Sequence, residues 1–128
     1  MADEGNIDFG KAWIRFEPPN TLRISTKANE QLDPETSQRI RAYGLEQTGG
    51  KPYKALLVPE PGANVTPEMR EYLANSDRAT QVIADAMVIS NFPHRLLADF
   101  YLRFNHPTVP TRLFSTEEAA RAWLDTLD

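Results

Sequence analysis

The chain contains no cysteine, which removes disulfides, thiolate metal ligands and a cysteine nucleophile, and fits a reducing compartment. Histidine is nearly as scarce. The two present, His94 and His106, have no companion carboxylate or third ligand at metal-binding spacing, so neither a metal site nor a histidine-dependent reaction is expected. Gly-x-Ser-x-Gly is missing, and Gly44, Gly49, Gly50 and Gly62 do not assemble a phosphate loop. Positive charge is also short: 14 Lys and Arg stand against 18 Asp and Glu, a net charge of -4, which disfavours nucleic acid as a partner. No apolar run approaches the roughly 18 to 20 residues that span a bilayer. The opening Met1-Ala2-Asp3-Glu4-Gly5 is acidic where a secretory signal is basic and then apolar. A cytoplasmic, non-enzymatic protein without cofactor or metal is the expectation.

What is present is a globular pattern. With 41% hydrophobic and 25% charged residues in 128, the chain has the composition and length of one domain, able to bury about two-thirds of its extended surface. Residues 1–9 read as a loose leader and 10–128 as the domain. From Lys11 the sequence alternates, with Ala12, Ile14 and Phe16 on one side and Trp13, Arg15 and Glu17 on the other, the period of a half-buried strand. Pro18-Pro19-Asn20 turns the chain and Thr21 to Ser25 resumes the alternation, which predicts a hairpin.

Asp33-Pro34-Glu35 and Thr66-Pro67-Glu68 each combine an N-cap, a first-turn proline and an acid against the macrodipole. Between them Ala55-Leu56-Leu57-Val58 is a continuous apolar run, as a strand covered on both faces requires. Ala86-Met87-Val88-Ile89 is a second such run. A helix from Pro93 is expected to put Leu96, Leu97, Phe100 and Phe104 on one stripe, with Asp99 and Arg103 paired on its flank. Pro110 to Phe114 predicts an edge strand. Ser115 with Glu118 reads as a capping box for a last helix whose inward face is Ala120, Trp123, Leu124 and Leu127.

The order ββαβαβαβα implies an α/β fold with a mixed four- to five-stranded sheet, antiparallel at the first hairpin and parallel beyond, with about four helices. The expected core includes Ile14, Leu22, Leu56, Leu57, Val88, Leu97, Phe100, Phe104, Phe114, Trp123 and Leu124.

This order, together with Arg70-Glu71-Tyr72-Leu73, Phe100-Tyr101-Leu102-Arg103-Phe104-Asn105 and Pro110 to Ala119 with Ala122-Trp123-Leu124, resembles the STAS domains of bacterial anti-sigma-factor antagonists, the SpoIIAA-like group, and more closely short bacterial STAS/SEC14-like proteins. The resemblance runs from about Lys11 to Leu127 and rests on packing and capping signals, so it speaks to fold before function. It implies a regulatory module acting through protein contacts, with homodimerisation one mode. Its SEC14 side implies the alternative, binding of a small apolar or amphiphilic ligand. In the antagonist branch a hydroxyl residue after the central strand is phosphorylated, which makes Thr66 the phosphoacceptor candidate here. The acid and small hydroxyl pair usual at that place are absent, and Thr66 also has a plain capping role.

Placement on the sheet supplies further candidates. Ligands of open α/β sheets meet the carboxyl ends of parallel strands, so Asn64, Thr66, Arg70, Asn91, His94 and Arg95 are expected on one edge. Trp13 and Leu102 both fall opposite the apolar side of their elements, and each is a partner-contact candidate or, for Trp13 under a covering helix, core.

Overall fold

A computed structural model of the chain describes residues 5–75, 80–89, 95–96, 99 and 109–127. The hairpin forms as the alternation requires: β2 (Ala12–Glu17) pairs with β3 (Thr21–Thr26) from Ala12↔Thr26 to Glu17↔Thr21. Ala12, Ile14 and Leu22 are fully buried on one face. Trp13, Arg15 and Glu17 are half-buried on the other. Part of the segment read as a loose leader is in the sheet, because β1 (Ile7–Asp8) adds antiparallel to β2 through Ile7↔Ile14 and Asp8↔Trp13.

Helix α1 (Pro34–Thr48) starts where its cap chemistry directs, the Asp33 carboxylate accepting from the Thr36 amide at 2.9 Å. The Lys11 ammonium beside Asp33 and that amide hold the carboxyl well below the usual carboxylate range. The helix ends on Gly49 in the left-handed region, φ 69°. Its buried side is only Thr36, Ile40 and Gly44. The thin face works because Gly44 brings the helix backbone onto the sheet: a Cβ there would lie 2.8 Å from Tyr53 Cε2 and 3.0 Å from Leu22 Cδ2.

The apolar run forms the central strand β5 (Tyr53–Leu57), parallel to β3 and to β7 (Val82–Val88). Its neighbours alternate between two cores. Ala55 packs with Ile14, Ile24, Ile40 and Met69, whereas Leu56 packs with Ala84, Ala86, Ala120 and Leu124. An extra residue at the start of β7 shifts register between Tyr53↔Val82 and Lys54↔Ala84, which sends Val82 into the first core and Ala84 into the second. Strand β8 (Thr111–Phe114) completes a six-stranded sheet in the order β1-β2-β3-β5-β7-β8. The expected antiparallel start and parallel continuation are present, with more strands than anticipated.

Two further strands, β4 (Gln31–Leu32) and β6 (Asn64–Val65), pair in parallel as a separate ribbon leading into α1 and α2 (Pro67–Asn75). Helix α3 (Glu117–Leu124) packs Ala120 and Leu124 on the second face. These are three helices with described bounds, against about four expected; Arg95, Leu96 and Asp99 are also helical. Leu96, assigned to the core stripe from sequence, is instead 53% exposed. Leu97, Phe100, Phe104, Arg103 and the histidines lie outside the described residues. Of the other expected core residues, Ile14, Leu22, Leu56 and Leu124 are buried, while Leu57, Val88, Phe114 and Trp123 pack partly buried against the cores. No helix among the described residues is long and apolar enough to cross a membrane.

The cap of α3 is a correction. Thr116, not Ser115, is the N-cap, accepting from the Ala119 amide at 3.1 Å. The reason is the sheet: the Phe114 carbonyl still accepts from the Ile89 amide at 2.9 Å, so the chain stays extended one residue longer. Glu118 then falls one position short of the reciprocal capping place.

Two stability predictions follow from the packing. Gly44→Ala should lower stability by about 1 to 3 kcal/mol through overpacking against Tyr53 and Leu22. Intrinsic helix preference acts in the opposite sense by about 0.5 to 1 kcal/mol, so a raised urea midpoint would mean that α1 is not seated on this glycine. Thr116→Ala should cost about 0.5 to 2 kcal/mol, with Ser115→Ala within about 0.5 kcal/mol of wild type; the reverse ranking in denaturant melts would return the cap to Ser115.

Candidate functional site

The second sheet face is covered unevenly. Helix α3 lies over β5, β7 and β8, and past its N-terminal end the face of β2 and β3 opens into a cleft of about 460 Å³. Its floor is Trp13 and Arg15 from β2 with Arg23 and Ser25 from β3, and Glu117 of α3 closes one side. Val58-Pro59-Glu60-Pro61, leaving β5, and Asn6 form the remaining wall. The location is the carboxyl end of the parallel strands β3 and β5, the side where such sheets receive ligands.

The wall is held by backbone bonds. Val58 and Glu60 amides donate to the Ile24 and Thr26 carbonyls at 2.9 Å each, and the Glu60 carboxylate accepts from the Ala28 amide at 2.8 Å. Gly62, φ 79°, lies so close to Asn29 that a Cβ would sit 2.3 Å from its Oδ1. Only glycine satisfies both demands. Ser25 is buried and its hydroxyl donates to the Val58 carbonyl at 2.8 Å, which ties β3 to the wall.

On the floor, Arg15 and Arg23 are directly opposed across the β2–β3 ladder, an arrangement that like charges make unfavourable. Two carboxylates resolve it. Glu17 accepts from Arg15 at 2.9 Å and from Arg121 at 2.6 Å, and Glu117 accepts from Arg121 at 2.7 Å and from Arg23 at 3.0 Å. The Arg23 hydrogen bonds, followed by those of Arg121, pull the Glu117 carboxyl down to about 2. Arg121 and then Arg15 lower Glu17 likewise, and the two glutamates in turn raise Arg121. Beside this network the Lys27 ammonium sits 4.3 Å from the Trp13 ring centroid and 2.7 Å from Asp8, fixing the ring by a cation–π contact.

Of the residues singled out from sequence, Trp13 lines the cleft. Thr66 is the cap of α2, its hydroxyl accepting from the Met69 amide at 3.0 Å. Asn64 is exposed on β6 and Arg70 half-buried on α2; neither lines the cleft. Arg95 places its guanidinium 3.5 Å from the Ser115 hydroxyl, at the turn into α3. Asn91, His94 and Leu102 fall outside the described residues. Arg23, Ser25 and Glu117 went unrecognised, although the alternation that sets Arg15 beside Trp13 also sets Arg23 and Ser25 opposite Leu22 and Ile24. Among the described residues no three His, Asp or Glu are grouped to hold a metal ion.

The depressed carboxyls carry a sign that can be measured. A lowered folded-state pKa contributes stability above the unfolded value near 4.5 and loses it as pH falls toward about 2. Glu117→Gln should therefore cost about 1 to 2 kcal/mol at neutral pH, discounted for partial exposure, and the wild-type and variant stabilities should converge on acidification through that window. A gap that stays constant down to the acid limit would show that the ionised Glu117 carboxylate is not the source of the difference.

No curated protein sequence matches the chain. Among solved structures, an uncharacterised protein of the DUF3478 family from Shewanella loihica PV-4, with a SpoIIAA-like fold, superposes with a TM-score of 0.56 at 11% identity, covering 88% of this chain and 91% of that one. At that identity the likeness establishes the fold, and it is the STAS-like fold that the order of elements implied. The family model of a domain of unknown function, DUF7793, matches residues 13–128, nearly the whole chain, and the protein belongs to that family.

Proposed function

We propose that the domain is a non-enzymatic protein-interaction or regulatory module whose contact surface is the uncovered half of the sheet face around Trp13. The carrying observation is the cleft itself: a half-buried tryptophan beside two opposed arginines, at the carboxyl end of parallel strands. Tryptophan and arginine are the residue types that dominate binding energy at interface centres. The reading treats Ser25 as structural, since its proton goes to the Val58 carbonyl rather than to a base. It also weighs against the apolar-ligand alternative, because the cleft is open and Arg15, Arg23, Glu60 and Glu117 line it, whereas a lipid site encloses apolar volume. A cytoplasmic protein partner, or a second copy of the chain, is the expected occupant.

Photo-crosslinking in the native cells tests this. A benzoylphenylalanine at Pro61, on the cleft wall, should give discrete protein adducts, and one at Glu46, exposed on α1, should not. Adding Trp13→Ala should remove the Pro61 adducts, since loss of a central tryptophan costs about 2 kcal/mol or more of binding, with circular dichroism confirming the fold. Equal adducts from both sites, or adducts indifferent to Trp13, would reject the surface.

A further inference from the structure

We propose that the outer edge of β2 receives an extended acidic segment of a partner protein as an added antiparallel strand, and that residues 5–8 occupy that edge as a weak stand-in. The inference rests on the interaction-module reading and names the edge and the partner chemistry. Three observations carry it. First, β1 is a ladder of two residue pairs, with Ile7 42% and the Asp8 side chain 57% exposed, flanked by Gly5 and Gly10 at φ 79° and 88°. The chain just beyond it is anchored separately, Phe9 packing edge-on against Tyr43 at 5.6 Å, so the arm can leave without unseating the core.

Second, β1 pairs only Trp13 and Ile14 of the six-residue β2, so among the described residues Arg15 to Glu17 have no ladder partner on that outer side, and an unpaired edge is a template for strand addition. Third, the edge has a definite charge pattern. Asp8 stands opposite Trp13 and reaches Lys27 on the cleft side, while Ile7 stands opposite Ile14 on the core side. Continuing the register sets the next cleft-side position opposite Arg15, along which the arm already passes, 3.7 Å from a Cβ built on Gly5 to Arg15 Cδ. The arm places Asn6 there. A strand reading acid, apolar, acid supplies a second carboxylate, to which the five-donor guanidinium of Arg15 donates alongside Glu17.

The probe is a fluorescein-labelled octapeptide of alternating Glu and Val, titrated by anisotropy into full-length protein, with amide chemical shifts locating the site. Asp8→Ala and Ile7→Pro, which loosen the arm, should each tighten binding about tenfold, and Lys27→Glu should weaken it about tenfold. Shifts should concentrate in Trp13 to Glu17. A Lys/Val peptide should not bind. Arm variants that leave affinity unchanged, shifts elsewhere, or no binding overturn the proposal; so does self-association of Ile7→Pro without peptide, which assigns the edge to a second copy. If the peptide fails while Trp13-dependent crosslinks at Pro61 persist, the edge is wrong and the cleft reading stands.

Discussion

A six-stranded sheet has two faces, and among the described helices two serve one face and α3 alone serves the other. A helix is about 10 Å wide and strands lie about 4.8 Å apart, so one helix shields roughly two to three strands. Placed over β5, β7 and β8, α3 meets β2 and β3 at its margin, through Arg121 to Glu17 and Glu117 to Arg23. The residues on that face answer to this limit. Where α3 covers, the sheet presents Leu56, Ala84 and Ala86; where it does not, it presents Trp13, Arg15, Glu17, Arg23 and Ser25. The open face is thus a consequence of coverage, and its chemistry is what a solvated half-sheet beside a helix end allows.

The ion network joins the covered and open halves. Each pair taken singly is a partly exposed bridge worth little, and counting them would overstate the stability. Their arrangement matters more. Arg121 stands between two glutamates and each glutamate also holds one of the opposed arginines, so each of the three guanidiniums is paired with a carboxylate. Helix α3 is positioned by apolar burial of Ala120 and Leu124 and, beside them, by the charges of Glu117 and Arg121. The same contacts hold the guanidiniums in fixed orientation beside Trp13.

Much of the fold could be read from local chemistry because local chemistry decides it. Asp33-Pro34-Glu35 starts a helix wherever it lies, and the unbroken run at Ala55 to Leu57 demands cover on both sides. The ribbon of β4 and β6 could not be read this way: two-residue strands carry no period, and they arise from the close approach of Asn29 to Gly62. The cap at Thr116 was one residue off because the extent of β8, set by Ile89 on another strand, decides where α3 can begin. The site was half legible. Alternation separates Trp13 from the core and puts Arg15 next to it, but Arg23 and Glu117 are ninety-four residues apart in sequence, and only the length and placement of α3 bring them together. Asn64, Thr66 and Arg70 were drawn in by their expected place at the carboxyl ends of the parallel strands; Thr66 caps α2, and none of the three lines the cleft.

Since STAS-like architecture constrains fold more than activity, function must be argued from this face. Binding on a surface is costly when side chains must first be ordered. Here much of that ordering precedes any partner: Lys27 stacks on Trp13 and is held by Asp8, and both floor arginines are already hydrogen-bonded. The resident carboxylates of Asp8, Glu17 and Glu117 occupy the donors that, on the proposed reading, an incoming acidic group would seek. A partner of the kind proposed would have to offer carboxylates placed as well as the protein's own, together with an apolar group to cover Trp13. Diffuse negative charge meets neither demand, and under that proposal the double requirement is what would let a nearly neutral patch on an acidic domain discriminate among partners.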